Sequence, residues 1–280
     1  MDIFVLQNET GINGYDLEFD IYRKDLNTPN VLILCQGYSL SKDYWGLEFI
    51  ENILAKSNIN TIVCYNYRGF TSKKIPTNDL LKVPSTQLSL SLLAKDLQQF
   101  ILYLNQKYWQ DKYTLSILGH SMGTFIVHEF IHLLPLEKNL KNHISSFILV
   151  SGGCHCSFDF LDKFNNHNWE LFVRQSANSN SKKYVTFTNL LLYASMIFIN
   201  RIKNPCDFKK TMSQLDIPLL NIRGENDTFL TYEKQKDCIE DVWKKNKLKS
   251  ITISKADHHL FNRNLKELTQ IIIEFLCKTG

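Results

Sequence analysis

The 280-residue chain has no hydrophobic run long enough to cross a bilayer. Its longest strongly apolar stretch, Leu190 to Ile199, falls well short of the ~20 residues that a membrane-spanning helix needs. It also has no block of like charge. The formal net charge of +4 is spread along the chain, with short basic pairs such as Lys73-Lys74, Lys182-Lys183 and Lys244-Lys245. Such pairs read as solvated faces and offer no hold for nucleic acid or an anionic membrane surface. The opening Met1-Asp2-Ile3-Phe4-Val5-Leu6 has neither a basic region nor a long apolar one behind it, so no secretory signal is expected. The seven cysteines are odd in number and lack framework spacing, which points to reduced thiols and a cytoplasmic protein. Cys154-His155-Cys156 finds no second cysteine pair to complete four metal ligands, and reads as small residues lining a loop. No internal repeat and no flexible linker interrupts the sequence. A hydrophobic share of 44% and a charged share of 21% are those of a soluble globular enzyme. The length suffices for one α/β domain or two smaller ones.

Apolar periodicity sets out the elements. Residues 3–8 and 15–22 read as a pair of strands joined by the turn chemistry of Gly11-Ile12-Asn13-Gly14. The second alternates apolar and polar residues, as a half-buried antiparallel strand does. Val31-Leu32-Ile33-Leu34-Cys35, Thr61-Ile62-Val63-Cys64-Tyr65, Leu115-Ser116-Ile117-Leu118 and Ser146-Phe147-Ile148-Leu149-Val150 are nearly apolar throughout, as strands covered on both faces of a parallel sheet are. Helices are expected over 44–56, along the stripe of Leu93, Leu97, Phe100, Ile101 and Leu104, and after residue 121 as far as Pro135. Residues 71–86 read as loop. Strands at 217–222 and 250–254 and helices near 232–246 and 263–277 complete the pattern. Strands alternating with helices imply a doubly wound, mostly parallel sheet. The rhythm breaks over 157–214. The expected organisation is therefore a core in two parts, 1–156 and 215–280, with 157–214 inserted as a helical cap.

The chemistry centres on Gly119-His120-Ser121-Met122-Gly123, which follows an apolar strand and opens into Thr124-Phe125-Ile126-Val127-His128-Glu129. Strand, turn and helix around a G-x-S-x-G pattern form the setting of a nucleophile elbow. Its glycines remove the side chains that would collide where the strand reverses. A serine hydroxyl is a poor nucleophile until a positioned base takes its proton and an acid orients that base. Both partners have a place downstream, each just beyond a strand: Asp227 in Arg223-Gly224-Glu225-Asn226-Asp227, and His258 in Ala256-Asp257-His258-His259. Taken singly, the serine reads as a turn and the aspartate as a helix cap. His259 could replace His258, and Glu225 could replace Asp227. The ordered set of three is what carries the reading.

These residues give the chain its resemblance to the α/β-hydrolase superfamily, nearest to capped serine hydrolases such as monoacylglycerol-lipase-like esterases. Members carry a His-Gly-x oxyanion loop, an Asp-x-Arg-Gly-x-Gly-x-Ser segment, G-H-S-M-G, G-x-x-D and a late histidine. In matching order this chain has Gln36-Gly37-Tyr38, Asn66-Tyr67-Arg68-Gly69, Gly119 to Gly123, Gly224 to Asp227, and His258. The resemblance runs from about residue 12 onward and leaves the cap uninformed. It implies the α/β-hydrolase fold, with Ser121 as nucleophile, His258 as base, Asp227 as orienting acid, and the backbone N–H groups of Tyr38 and Met122 as the oxyanion hole. It implies no cofactor and no metal. The chain departs from the family at Gln36, in place of the loop histidine, at Asn66, in place of aspartate, and at Thr71, in place of the second glycine.

Gln36 and His120, together with Leu191 and Met196 from the apolar stretch 190–198, are expected on the substrate side. The expected partner is a small ester or thioester, with an apolar acyl group suggested by that stretch, and with no nucleic acid and no stable membrane insertion. Nothing in the sequence specifies an oligomeric state. Three other functions are alternatives to this reading. An acyltransferase would pass the acyl group from the same triad to another acceptor. A pocket receptor would bind without turnover. A zinc peptidase would use His128-Glu129-Phe130-Ile131-His132, which fits H-E-x-x-H on a helix. The extended form of that motif needs glycine where Pro135 stands and histidine where Lys138 stands. No third ligand is evident, so two ordinary helix histidines are the better reading of this pattern.

Overall fold

The computed structural model describes residues 4–12, 15–24, 29–37, 40–68, 90–134, 138–152, 215–227, 239, 243 and 247–279. Strands β1 (Phe4–Ile12) and β2 (Tyr15–Arg23) form an antiparallel hairpin. The parallel strands are β3 (Asn30–Cys35), β4 (Thr61–Tyr65), β5 (Thr114–His120), β6 (Ile144–Val150), β7 (Leu219–Gly224) and β8 (Leu248–Ile253). Together they make an eight-stranded sheet in the order β1-β2-β4-β3-β5-β6-β7-β8. Only β1–β2 and β2–β4 pair antiparallel. After β3 the chain steps to one side to lay down β4, then returns to the other side for β5. Doubly wound sheets place their sites beyond the carboxyl ends of the strands at such a reversal, here β3 and β5.

The α-helices among the described residues are α1 (Leu47–Lys56), α2 (Leu90–Leu104), α3 (Met122–Leu133), α4 (Lys138–His143), α5 (Leu260–Arg263) and α6 (Leu265–Thr279). Val31 and Ile33 of β3 join a core under α2 and α3 with Leu97, Phe100, Val127 and Phe130. Leu32 and Leu34 join a second core under α1 and α6 with Phe49, Ile53, Leu268 and Ile272. Alternate side chains are thus buried on opposite faces, which is why these strands read as unbroken apolar runs.

Three expectations are corrected. The helix foreseen over 44–56 begins as a 3-10 turn at Lys42–Trp45, breaks at Gly46 (φ 70°), and only then runs as α1. The final helix, expected over 263–277, begins two residues later, at Leu265, because the short α5 ends at Arg263 and Asn264 separates it from α6. The alternating strand 15–22 is not half-exposed: Asp20 and Tyr22 are buried along with Leu17, Phe19 and Ile21. Lys42, in the turn after β3, reaches across and pairs with Asp20, so the polar side of this strand is covered. The expected cap 157–214, loop 71–86 and Cys154-His155-Cys156 lie outside the described residues, as does most of the expected helix 232–246. No described helix is long and apolar enough to cross a membrane.

Candidate active site

β5 ends at His120, α3 begins at Met122, and Ser121 between them has φ 51° and ψ −117°. A non-glycine residue in that region is strained and persists only where its surroundings fix it. Here Ser121 N–H donates to Val150 O at 3.0 Å, and Ser121 O accepts from both the N–H (3.0 Å) and the hydroxyl (2.6 Å) of Thr124. The turn also needs α3 to lie directly on β3. A Cβ on Gly123 would stand 2.0 Å from Cys35 O, so only glycine fits there.

Two further loops meet this turn. The acid loop leaves β7 at Gly224, where a Cβ would stand 2.5 Å from the carbonyl oxygens of Ala256 and Asp257. That contact lets Glu225 N–H donate to Ile253 O (3.0 Å) and Asn226 N–H donate to Ala256 O (2.8 Å), stitching the acid loop to the base loop. Asp227 is buried at 5% exposure, and its Oδ2 lies 2.9 Å from Nδ1 of His258. Nε2 of the same ring lies 2.9 Å from Ser121 Oγ. A carboxylate only accepts hydrogen bonds. Asp227 therefore keeps the proton on Nδ1 and leaves Nε2 to accept from the serine hydroxyl. The arrangement can withdraw a proton from Ser121 as its oxygen attacks a carbonyl.

The structure chooses between residues the sequence left open. His259 takes no part in this chain of bonds; its N–H donates to Asp257 Oδ1. Glu225 turns away and accepts from Ser254 Oγ (2.9 Å) and Lys255 N–H (2.8 Å). The Lys255 N–H, with the Ser254 hydroxyl, holds its carboxyl below the usual range. Met122 is the first residue of α3, where a backbone N–H has no carbonyl partner within the helix. Gln36 is fully buried and its side-chain amide makes no hydrogen bond. His120, at 3% exposure, stacks on Tyr44 (5.3 Å, 13°), 6.0 Å behind the His258 ring. Burial pulls its pKa down to about 3, so it is a neutral imidazole. Neither Gln36 nor His120 presents its side chain to solvent. Tyr38, Leu191 and Met196 lie outside the described residues.

The two histidines of the H-E-x-x-H pattern sit in different surroundings, His128 buried at 1% exposure and His132 exposed. Among the described residues no group of three or more His, Cys, Asp or Glu side chains is placed to hold a metal ion.

Residues 30–178, more than half of the chain, match the alpha/beta hydrolase fold family. The chain belongs to the α/β-hydrolase superfamily. Its fold is shared with an α/β hydrolase from a Medee basin deep-sea metagenome library (TM-score 0.68, 16% identity, 98% of each chain covered). It is also shared with the esterase RhEst1 from Rhodococcus sp. ECU1013 (TM-score 0.61, 13% identity, 100% of each chain covered). A bromoperoxidase from Bacillus anthracis has it too (TM-score 0.61, 17% identity, 97% of this chain and 99% of that one). No curated protein matches the chain in sequence. An esterase and a bromoperoxidase on one α/β-hydrolase fold show that the activity must be argued from the site.

The sequence missed two buried ion pairs near the site. Lys42 joins Asp20, and Arg68 joins Asp96 through both its Nε and an Nη. The available signal was weak. It amounted to one aspartate inside a β-patterned strand and another on an apolar helix.

Proposed function

We propose that this α/β-hydrolase is a serine hydrolase that cleaves a carboxylic ester or thioester through an acyl-enzyme on Ser121. The observation that carries the reading is the unbroken chain of hydrogen bonds from Asp227 through His258 to Ser121, at 2.9 Å and 2.9 Å, ending on a serine at a φ 51° elbow. In the first half-reaction Ser121 Oγ bonds to the carbonyl carbon as its proton passes to His258 Nε2. The oxyanion is received by the Met122 N–H at the start of α3 and by the Tyr38 N–H; each such donor contributes about 3 kcal/mol to the transition state. The carbon–oxygen or carbon–sulfur bond then breaks and the leaving group takes the proton from Nε2. Water repeats the sequence in reverse, giving a proton to Nε2 as it attacks, and Nε2 passes that proton to Ser121 Oγ as the acid is released.

An apolar acyl group fits the composition of 190–198, with Leu191 and Met196 as lining residues. The unpaired thiols of Cys35, Cys64 and Cys277 suit a reducing, cytoplasmic setting. The test is labelling by a fluorophosphonate, together with hydrolysis of p-nitrophenyl esters of graded chain length. Wild type should be labelled and active, and Ser121→Ala should lose both, with activity down about 10⁴-fold or more. A well-folded wild type that takes no label would overturn the reading. Turnover that gives a new ester rather than free acid when an alcohol is present would reassign it to acyl transfer.

A further inference from the structure

We propose that Asn66 and Tyr67, immediately beyond β4, are positioning residues. They bracket the segment from Gln36 to Lys42, which holds Tyr38, whose N–H is the oxyanion donor of the reading above. The inference rests on the serine-hydrolase reading above. An oxyanion donor acts only if it is aimed in advance at where the charge develops, so whatever fixes the ends of its segment bears on the rate. Tyr67, 2% exposed, donates its hydroxyl proton to Gln36 O at 2.7 Å and so fixes where the segment begins. Asn66, fully buried, accepts from the Lys42 N–H at 2.7 Å through Oδ1 and so fixes where it ends. The bracket is itself anchored. Asn66 N–H donates to Glu18 O at 2.8 Å, and the next residue, Arg68, is clamped to Asp96 of α2.

The geometry also accounts for asparagine standing where related hydrolases have aspartate. While Oδ1 accepts from Lys42 N–H, Nδ2 donates to Glu18 Oε2 at 2.8 Å. An aspartate could accept but not donate, and it would set a second carboxylate against Glu18. Asn66 and Glu18 are a matched donor–acceptor pair across β2 and the end of β4. Exchanging their chemistry should therefore preserve the bracket. In Asn66→Asp/Glu18→Gln the carboxylate still accepts from Lys42, and the new amide at 18 donates to it.

The test uses the full chain and three variants, Tyr67→Phe, Asn66→Asp and Asn66→Asp/Glu18→Gln. For each, kcat and KM are measured on a p-nitrophenyl ester, along with the rate of fluorophosphonate labelling and the amide hydrogen exchange of residues 36–42. Tyr67→Phe should lower kcat and the labelling rate about tenfold, because a small misplacement of a reacting group is costly. KM should stay within about twofold, and exchange in the segment should speed up. Asn66→Asp should behave alike, and the double variant should recover most of the lost kcat. A labelled wild type whose Tyr67→Phe variant keeps full kcat and unchanged exchange would overturn the bracket alone. So would a double variant no better than Asn66→Asp, which also covers the case in which Tyr67→Phe does not fold. A wild type that takes no label would overturn the hydrolase reading and this role with it.

Discussion

At the carboxyl edge of the sheet two neighbouring turns are held by opposite means. The elbow between β5 and α3 is fixed by backbone: Gly123 lies against Cys35 O, and the bonds that hold Ser121 run mainly to main-chain groups of Val150 and Thr124. The turn after β3 is fixed by side chains, with Tyr67 on Gln36 O, Asn66 on Lys42 N–H, and Lys42 on Asp20. A steric constraint leaves no room for alternatives and is all or nothing. A polar constraint is a sum of separable bonds, each worth about 1 kcal/mol when neutral and more when charged. The elbow should therefore break outright under a single methyl group, and the bracket should weaken by degrees.

The largest effect is expected at Gly123→Ala. The added Cβ meets a backbone oxygen at 2.0 Å, and neither β3 nor α3 can retreat without disturbing the core beneath them. A loss of about 4 kcal/mol or more follows, a large part of the roughly 5–15 kcal/mol that keeps a native protein folded. The measurement is urea denaturation, or soluble yield if the variant fails to fold. A variant with wild-type stability would mean that α3 does not rest on β3 as described.

Next in size is Lys42→Met on the polar side. It keeps the apolar stem but leaves the Asp20 carboxylate, 2% exposed, without its cation; the lysine binds Oδ2, where the Tyr22 hydroxyl also reaches at 3.4 Å, and Oδ1 makes no hydrogen bond among the described residues. Breaking a buried pair from one side costs about 3 kcal/mol, whereas replacing both members is often neutral. Lys42→Met should thus be destabilised by that amount, and Asp20→Leu/Lys42→Met should recover most of it. Equal stabilities for the single and double variants would show that the pair is not the constraint on this side.

The same contrast separates what the sequence discloses from what it conceals. Glycine spacing around Ser121 marks a backbone collision, and a collision is local, so the elbow is legible in five consecutive residues. The strands and their burial are legible because both faces are apolar. Asp227 and His258 are legible because each follows a strand end at the right place in the order. Between His258 and His259 the sequence offers only nearness to the strand end, which favours His258; the geometry itself depends on how the chain turns after β8, where Lys255 has φ 58°. The break at Gly46 is missed because the apolar pattern runs on through Tyr44 and Trp45. Asp20 is read as solvent-facing because strand periodicity carries no sign of a lysine arriving from another turn. Asn66 and Tyr67 reach partners 24 to 48 positions away, and no local pattern announces such bonds.

His120 sharpens the comparison, because it is a polar side chain in the part of the site held by backbone. Tyr44, Trp45 and Phe261 surround its ring, with His258 in front. Folded, it takes up a proton only near pH 3, against 6.5 for a free imidazole. Between those values the unfolded chain binds the extra proton. Stability therefore falls as the pH drops below about 6.5, by up to about 1.4 kcal/mol per unit, until the folded ring is protonated as well. His120→Phe keeps a ring to stack on Tyr44 and removes the proton site. From pH 7 to pH 5 its unfolding free energy should rise relative to wild type by about 2 kcal/mol, whatever the packing change costs at pH 7. Urea titrations of both proteins across that range measure the difference. A gap that stays constant would mean that the imidazole is charged inside the fold. A polar partner would then hold His120, and the elbow would no longer be the purely steric half of the pair.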